Sequence, residues 1–263
     1  MGVLNVTPDS FSDGGRFFDV AAAVGHALLM EEQGADIIDV GGESTRPGAA
    51  PVETDEELRR VLPVLEKLAG RLKSPVSIDT RKAVVGRAAI ESGACMVNDI
   101  GAARADDAML ELVAESGAAY VIMHMLDQPG TMQVRPSYDD VVRTVEGFFR
   151  ESIGRLRQSG IKEEQLVLDV GIGFGKTLEH NLRLLRATSR FAALGRPVML
   201  GVSRKSFIGT LLGLDVMNRL PAALACATWA VREGANIIRT HDVAETKAAV
   251  RMAEAIRGAT GPA

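Results

Sequence analysis

The stretch Gly34-Ala35-Asp36-Ile37-Ile38-Asp39-Val40 follows an amphipathic run, Asp19–Gln33, and its reading decides the fold. Glycine just past a helix is the usual cap, because without a Cβ it takes a positive φ at no steric cost. The run Asp36–Val40 behind it is too short for a helix and apolar enough to be buried on both faces, as strands of parallel sheets are. The same order of signals recurs at Gly93-Ala94 before Cys95–Val97, at Gly117-Ala118 before Ala119–Met123, and at Gly234-Ala235 before Asn236–Ile238. Four further apolar runs, Gly2–Val6, Val76–Ile78, Leu166–Leu168 and Pro197–Gly201, bring the strands to eight. Amphipathic stretches lie between them, among them Thr54–Leu72, Arg81–Ser92, Tyr138–Gln158 and Asp242–Ile256, with Thr54 and Glu57 offering a capping box.

Eight strands alternating with eight helices, without a linker or a break in composition, predict an α/β protein: a single (β/α)8 TIM barrel spanning residues 1–263. Long loops, Thr7–Arg16 and Gly41–Ala50, follow strands one and two and read as lids. An open doubly wound sheet is the alternative. Apolar residues make up 46% of the chain and charged residues 24%, which excludes a disordered or fibrous protein. Thirty Lys and Arg against 34 Asp and Glu leave no positive field for nucleic acid or an anionic membrane. No apolar run approaches the roughly 20 residues needed to span a bilayer, and no leader pattern opens the chain. A cytoplasmic protein is therefore expected, with Cys95 and Cys226 as reduced core residues.

Catalytic groups of such barrels stand at the carboxyl ends of the strands. Here those positions hold Asn5, Asp39, Asp79, Asn98-Asp99, His124, Asp169, Ser203-Arg204-Lys205, and Arg239 with His241. Each alone reads equally well as a turn residue; eight on one rim point to a site. Asp79, Asn98 and Asp169 can accept hydrogen bonds from a flat nitrogen heterocycle. Arg204, Lys205, Arg239 and His241 follow strands seven and eight, where this fold commonly holds phosphate. The rim is thus expected to divide into a carboxylate half and a basic half. Gly171-Ile172-Gly173-Phe174-Gly175-Lys176-Thr177 is one residue short of a phosphate loop, and Phe174 reads instead as a pocket wall.

The segments Met1-Gly2-Val3-Leu4-Asn5-Val6-Thr7-Pro8-Asp9-Ser10-Phe11-Ser12-Asp13-Gly14-Gly15 and Asp39-Val40-Gly41-Gly42-Glu43-Ser44-Thr45-Arg46-Pro47-Gly48 resemble the dihydropteroate synthase family of pterin-binding barrels. The resemblance continues in order through Ser77–Thr80, Asn98–Ile100, Met123–Met125, Gly171–Lys176, Ser203–Ser206 and Arg239–Asp242. It implies condensation of 6-hydroxymethyl-7,8-dihydropterin diphosphate with 4-aminobenzoate, a Mg2+ requirement, a homodimer and sensitivity to sulfonamides. Carried over by position, Asp79, Asn98, Asp169 and Lys205 would hold the pterin, and Thr45, Arg239 and His241 the diphosphate. Arg46, Pro47, Phe174 and Ser206 would form the 4-aminobenzoate pocket; Asn5 would contact magnesium, and Asp13 would stabilise positive charge on the pterin. Val170 stands where many members have proline, and the family's usual segment before the first strand is missing, which suggests a less well sealed barrel floor. The rival readings are a methyltetrahydrofolate-binding methyltransferase domain, which needs no diphosphate site, and a pterin binder without turnover.

Overall fold

The computed structural model describes residues 1–7, 19–44, 50–101, 107–126, 132 and 136–259. Eight parallel strands, β1 Gly2–Asn5, β2 Ile38–Gly41, β3 Val76–Asp79, β4 Met96–Asp99, β5 Ala119–Met123, β6 Leu166–Asp169, β7 Val198–Gly201 and β8 Ile237–Arg239, pair in chain order. A bridge between Gly2 and Thr240 joins the last strand to the first, with the Val3 N–H donating to the Thr240 carbonyl at 2.9 Å. The sheet is therefore a closed barrel, and the open-sheet alternative is excluded.

The glycine signals are helix ends as expected. Gly34, Gly93, Gly117 and Gly234 all have positive φ, between 69° and 101°. After three of them the next N–H reaches back to the last turn, from Ala35 to Met30 O, Ala94 to Ala89 O and Ala235 to Ala230 O, each at 2.9 Å. That six-to-one bond is the Schellman closure, which turns the chain sharply from helix into strand.

The helices are α1 Val20–Glu32, α2 Thr54–Leu68, α3 Ala83–Glu91, α4 Asp107–Ser116, α5 Val141–Gln158, α6 Leu178–Arg186, α7 Thr188–Ala192, α8 Ser206–Leu212, α9 Leu220–Arg232 and α10 Val243–Gly258. Ten are present among the described residues rather than eight because two crossovers are divided. Ala187 ends α6 and begins α7, and left-handed Gly213 with the short 3-10 turn Val216–Asn218 separates α8 from α9. The expected capping box is not formed: Glu53 precedes α2 as its cap residue without a side-chain cap bond, and Glu57 is fully buried in an ion pair with Lys82.

Side chains alternate along each strand. Leu4, Val40, Ile78, Val97, Ile122 and Leu200 point outward into the layer beneath the helices. The other set fills the barrel: Met1, Met96, Val121, Val167 and Met199 form an apolar plug at the amino ends of the strands, so the floor is sealed after all. Above the plug the inward positions become polar. The cysteines are free thiols but not core residues: Cys95 is exposed in the turn before β4, and Cys226 is half-buried. Among the described residues no helix is long and apolar enough to cross a membrane.

Candidate active site

Two aspartates, an asparagine and an arginine meet in the upper half of the barrel. Register places Asp79 opposite Gly41 and Asn98, with Asp39 two residues deeper on β2, opposite Ser77. Gly41 makes room for Asp79, whose Cβ would lie 3.2 Å from any Cβ added there. Arg239, at the end of β8, reaches across the interior: Nε donates to Asp39 Oδ2 and Nη2 to Asp79 Oδ2, each at 2.7 Å. Asn98 Nδ2 donates to the same Asp39 oxygen at 2.9 Å, while Asp39 Oδ1, fully buried, has no partner among the described residues. Burial pushes the Asp79 carboxyl up to about 7 although Arg239 pulls it the other way. Burial also works against the Arg239 cation, yet Asp39 and Asp79 hold it protonated well above the ordinary guanidinium range.

The expected division of the rim does not hold for Arg239, whose charge lies within the carboxylate half. The reason is closure: β8 and β2 both flank β1, so residues 200 positions apart become neighbours. Nor does Arg204 belong to a free basic half. It is largely exposed, adopts a left-handed φ of 59°, and donates to Asp242 Oδ1 at 2.6 Å.

The loop after β6 is shaped by its glycines. Gly171, Gly173 and Gly175 have φ of 68°, 83° and 64°, which L side chains rarely adopt. A Cβ on Gly171 would sit 2.0 Å from the His124 carbonyl oxygen, and one on Gly173 would sit 3.2 Å from Lys205 Cδ. The loop therefore lies flat between the end of β5 and Lys205. Two of its amides are used internally, with Gly171 donating to Asp169 Oδ1 at 2.8 Å and Gly173 to Asn181 Oδ1 at 2.8 Å. Burial raises Asp169, against that Gly171 bond and the Lys205 charge.

Two lysines border this loop. Lys205 Nζ stands 4.1 Å from the Phe174 ring centroid, and burial lowers it to about 8. Lys176, buried and lowered to about 7 by desolvation, is bound to Phe174 O at 2.8 Å, His124 O at 3.1 Å and His124 Nδ1 at 3.2 Å. His241 Nδ1 lies 3.0 Å from Ser203 Oγ, which also neighbours Asp242 Oδ2 at 3.3 Å. Burial, with Arg239 and Arg204 nearby, pushes His241 down to about 4, so its ring is neutral at pH 7.

The structure thus brings together Asp79, Asn98, Asp169, Lys205, Arg239 and Phe174, with His241 on the β8 side of the same rim. Ser206 opens α8 directly after Lys205, and Asn5 ends β1 half-buried opposite Gly41. Asp13, Thr45, Arg46 and Pro47 lie outside the described residues. Sequence reasoning named Asp39 among the strand ends but not in the site, and it left Lys176 without a role. The signal for Asp39 was available, since a carboxylate at an inward position two residues below a strand end has no solvent and needs a cation. Lys176 offered no such signal, because its three acceptors come from folding the loop back on β5. Among the described residues no group of three His, Cys, Asp or Glu could hold a metal ion.

Residues 1–241 match the family described as pterin binding enzyme. The dihydropteroate synthase of Escherichia coli K12 is 51% identical over 255 residues, covering 97% of this chain and 90% of its own. The crystal structure of the Yersinia pestis dihydropteroate synthase with a sulfonamide drug complex superposes with a TM-score of 0.93 at 46% identity, covering 98% of this chain and 94% of that one. The Xanthomonas albilineans dihydropteroate synthase with 4-aminobenzoic acid gives 0.92 at 45% identity, covering 98% and 93%. With the closed barrel, the buried carboxylates at its mouth and this degree of identity along nearly the whole chain, the protein belongs to the dihydropteroate synthase family of pterin-binding transferases.

Proposed function

We propose that this protein joins 6-hydroxymethyl-7,8-dihydropterin diphosphate to 4-aminobenzoate, forming 7,8-dihydropteroate and releasing diphosphate in folate biosynthesis. The observation that carries the reading is the pair of desolvated carboxylates, Asp79 and Asp169, both with raised pKa values and both beside cations in the barrel mouth. Each has one oxygen bound, Asp79 by Arg239 and Asp169 by the Gly171 amide, and the second oxygen of each can accept from a flat heterocycle whose edge is rich in N–H groups. Asn98, whose Nδ2 is spent on Asp39, adds its Oδ1 as an acceptor, and Lys205 adds a donor beside the Phe174 ring.

Cleavage of the bond between the pterin methylene and the diphosphate oxygen sends the electron pair to the leaving group and leaves a delocalised cation. The aminobenzoate nitrogen then forms the new C–N bond and passes its proton to water. Carboxylates near the ring, with Asp13 from the first loop, oppose the developing positive charge. Arg239 has Nη1 unpartnered among the described residues, and neutral His241, with Nδ1 engaged by Ser203, has Nε2 for the diphosphate oxygens, together with Thr45. Arg46, Pro47, Phe174 and Ser206 shape the aminobenzoate pocket, where a sulfonamide competes. The amine is already nucleophilic, so no strong base is needed.

Asn5, half-buried at the end of β1, would offer one neutral hard oxygen to magnesium held mainly by the substrate's diphosphate. When bound, the ion would neutralise charge on the departing diphosphate. The same reading places the protein in the cytoplasm as a homodimer that binds neither nucleic acid nor membrane. The test is diphosphate release from the pterin substrate with and without 4-aminobenzoate, for the parent and Lys205→Ala. Release that requires aminobenzoate and falls at least roughly a hundredfold in the variant is expected; aminobenzoate-independent or absent release refutes the reading.

A further inference from the structure

Asp242 stands directly before α10, where an aspartate ordinarily caps a helix, yet its carboxylate makes no cap bond. The aspartates before α1 and α5 do cap. Asp19 Oδ1 accepts the Ala21 and Ala22 N–H groups at 2.8 and 3.1 Å, and Asp140 Oδ1 accepts those of Val142 and Arg143 at 3.0 Å each. Asp242 turns instead toward the segment after β7, the strand paired with β8. Its Oδ1 accepts from Arg204 Nη2 at 2.6 Å, and its Oδ2 lies 3.3 Å from Ser203 Oγ and 3.4 Å from Arg204 Nε. Partial burial works against the charge, but the Arg204 bond holds the Asp242 carboxyl below the ordinary carboxylate range. The helix forgoes its cap bond, and the turn after β7 gains a charged partner.

That turn is strained. It runs over residues 202–205, closed by the Lys205 N–H to Val202 O at 3.4 Å, and its third residue, Arg204, has φ of 59°. Among the described residues Arg204 is the one non-glycine residue with positive φ. Such a conformation persists only where the surroundings impose it. Here Asp242 holds the guanidinium, and Arg219 Nη1 donates to the Arg204 carbonyl at 3.1 Å. The residues on either side of Arg204 reach the mouth of the barrel. Lys205 follows it and stands 4.1 Å from the Phe174 ring centroid. Ser203 precedes it, lies 3.0 Å from His241 Nδ1 and accepts the His241 N–H at 3.3 Å. Thr240 Oγ1 in turn fixes Asp242 by accepting its N–H at 3.1 Å. We propose that Asp242 is a positioning residue that locks the strained β7 turn against the β8 turn and so aims Lys205 and His241 together into the barrel mouth.

This proposal rests on the synthase reading, and a binding assay separates the two. Affinities for 6-hydroxymethyl-7,8-dihydropterin diphosphate and for inorganic diphosphate are measured by calorimetry, beside urea denaturation, for the parent, Asp242→Ala, Asp242→Asn, Arg204→Gly and, as a true cap, Asp140→Ala. Asp242→Ala is expected to weaken both ligands about tenfold with a urea midpoint close to the parent's, because two side chains lose their aim and no helix cap is lost. Asp242→Asn keeps an acceptor for Arg204 and a donor for Ser203, and restores affinity to within about threefold of the parent. Asp140→Ala lowers the urea midpoint without weakening either ligand, so lost stability alone does not imitate the effect. Arg204→Gly takes the same φ without strain but loses the tie to Asp242; it weakens binding about fivefold and carries the comparison if Asp242→Ala does not fold. Parent-like affinity in Asp242→Ala, or in Arg204→Gly should the former not fold, overturns the proposal, as does an equal loss in Asp242→Asn or Asp140→Ala. A parent that binds the pterin diphosphate but releases no diphosphate with 4-aminobenzoate refutes the synthase reading alone, and the variants still read the aim of the two side chains.

Discussion

Asp39 should contribute to stability far more than its distance from solvent chemistry suggests, and Asp39→Ala measures it. Its Oδ2 accepts from Arg239 Nε at 2.7 Å and from Asn98 Nδ2 at 2.9 Å, with the side chain fully buried. Removing one partner of a buried ion pair costs about 3–5 kcal/mol. Arg239 keeps Asp79, which sets the cost at the low end of that range, and the unpartnered Oδ1 disappears with the carboxylate, returning about 1 kcal/mol. The expected loss is therefore about 2–3 kcal/mol. For a chain of this size that lowers Tm by roughly 4–12 °C. Asp39→Asn keeps the shape but buries an amide donor where Oδ1 now lacks a partner, for a loss of about 2 kcal/mol. Urea denaturation followed by far-UV circular dichroism, with matching thermal scans, reads both. A loss below about 1 kcal/mol in Asp39→Ala would show that desolvation cancels the pair and would refute the reasoning.

Gly171→Ala is expected to cost more than about 3 kcal/mol in urea denaturation, because its Cβ meets the His124 carbonyl oxygen, whereas Gly195→Ala, with φ of 76° and open space, should lose only about 1 kcal/mol of backbone strain. Stability of the unliganded protein should pass through a shallow minimum near neutral pH. Asp79 is raised from 3.8 to about 7, so its contribution to stability falls as pH rises across that interval, while His241, lowered from 6.5 to about 4, contributes in the opposite sense between those two values and keeps the acid limb gentle. Lys176 and Lys205 are lowered from 10.5 to about 7 and about 8, so stability recovers as pH climbs back toward 10.5; urea midpoints for Lys176→Met should show a flattened alkaline limb. Phe174→Ala removes the ring 4.1 Å from Lys205 and should lower kcat/KM for 4-aminobenzoate about fivefold, read by steady-state diphosphate release; an unchanged value would separate Phe174 from the pocket.

What the sequence determined by itself is whatever depends on short-range geometry. Glycines that cap helices, and apolar runs too short to be helices, identify all eight strands to within two residues, since cap and strand signals act over a few neighbouring positions. The strand ends then supply the list of site residues, because inward and outward side chains alternate with a period of two. Where local cues were ambiguous, burial decided otherwise. Cys95 has an apolar neighbourhood in sequence but lies in an exposed turn, and Thr54 resembles a cap while Glu57 is recruited by Lys82.

Only the tertiary structure decided which charges meet. Arg239 joins Asp39 and Asp79 across 200 and 160 positions because the barrel closes through β1. Lys176 acquires three acceptors only when the glycine loop folds onto the end of β5, and Lys82 joins two glutamates that α2 and the β2 loop bring together. A charge's partner is set by whichever opposite charge the closed fold leaves within a few ångströms in a water-poor interior, and spacing along the chain carries no record of that distance.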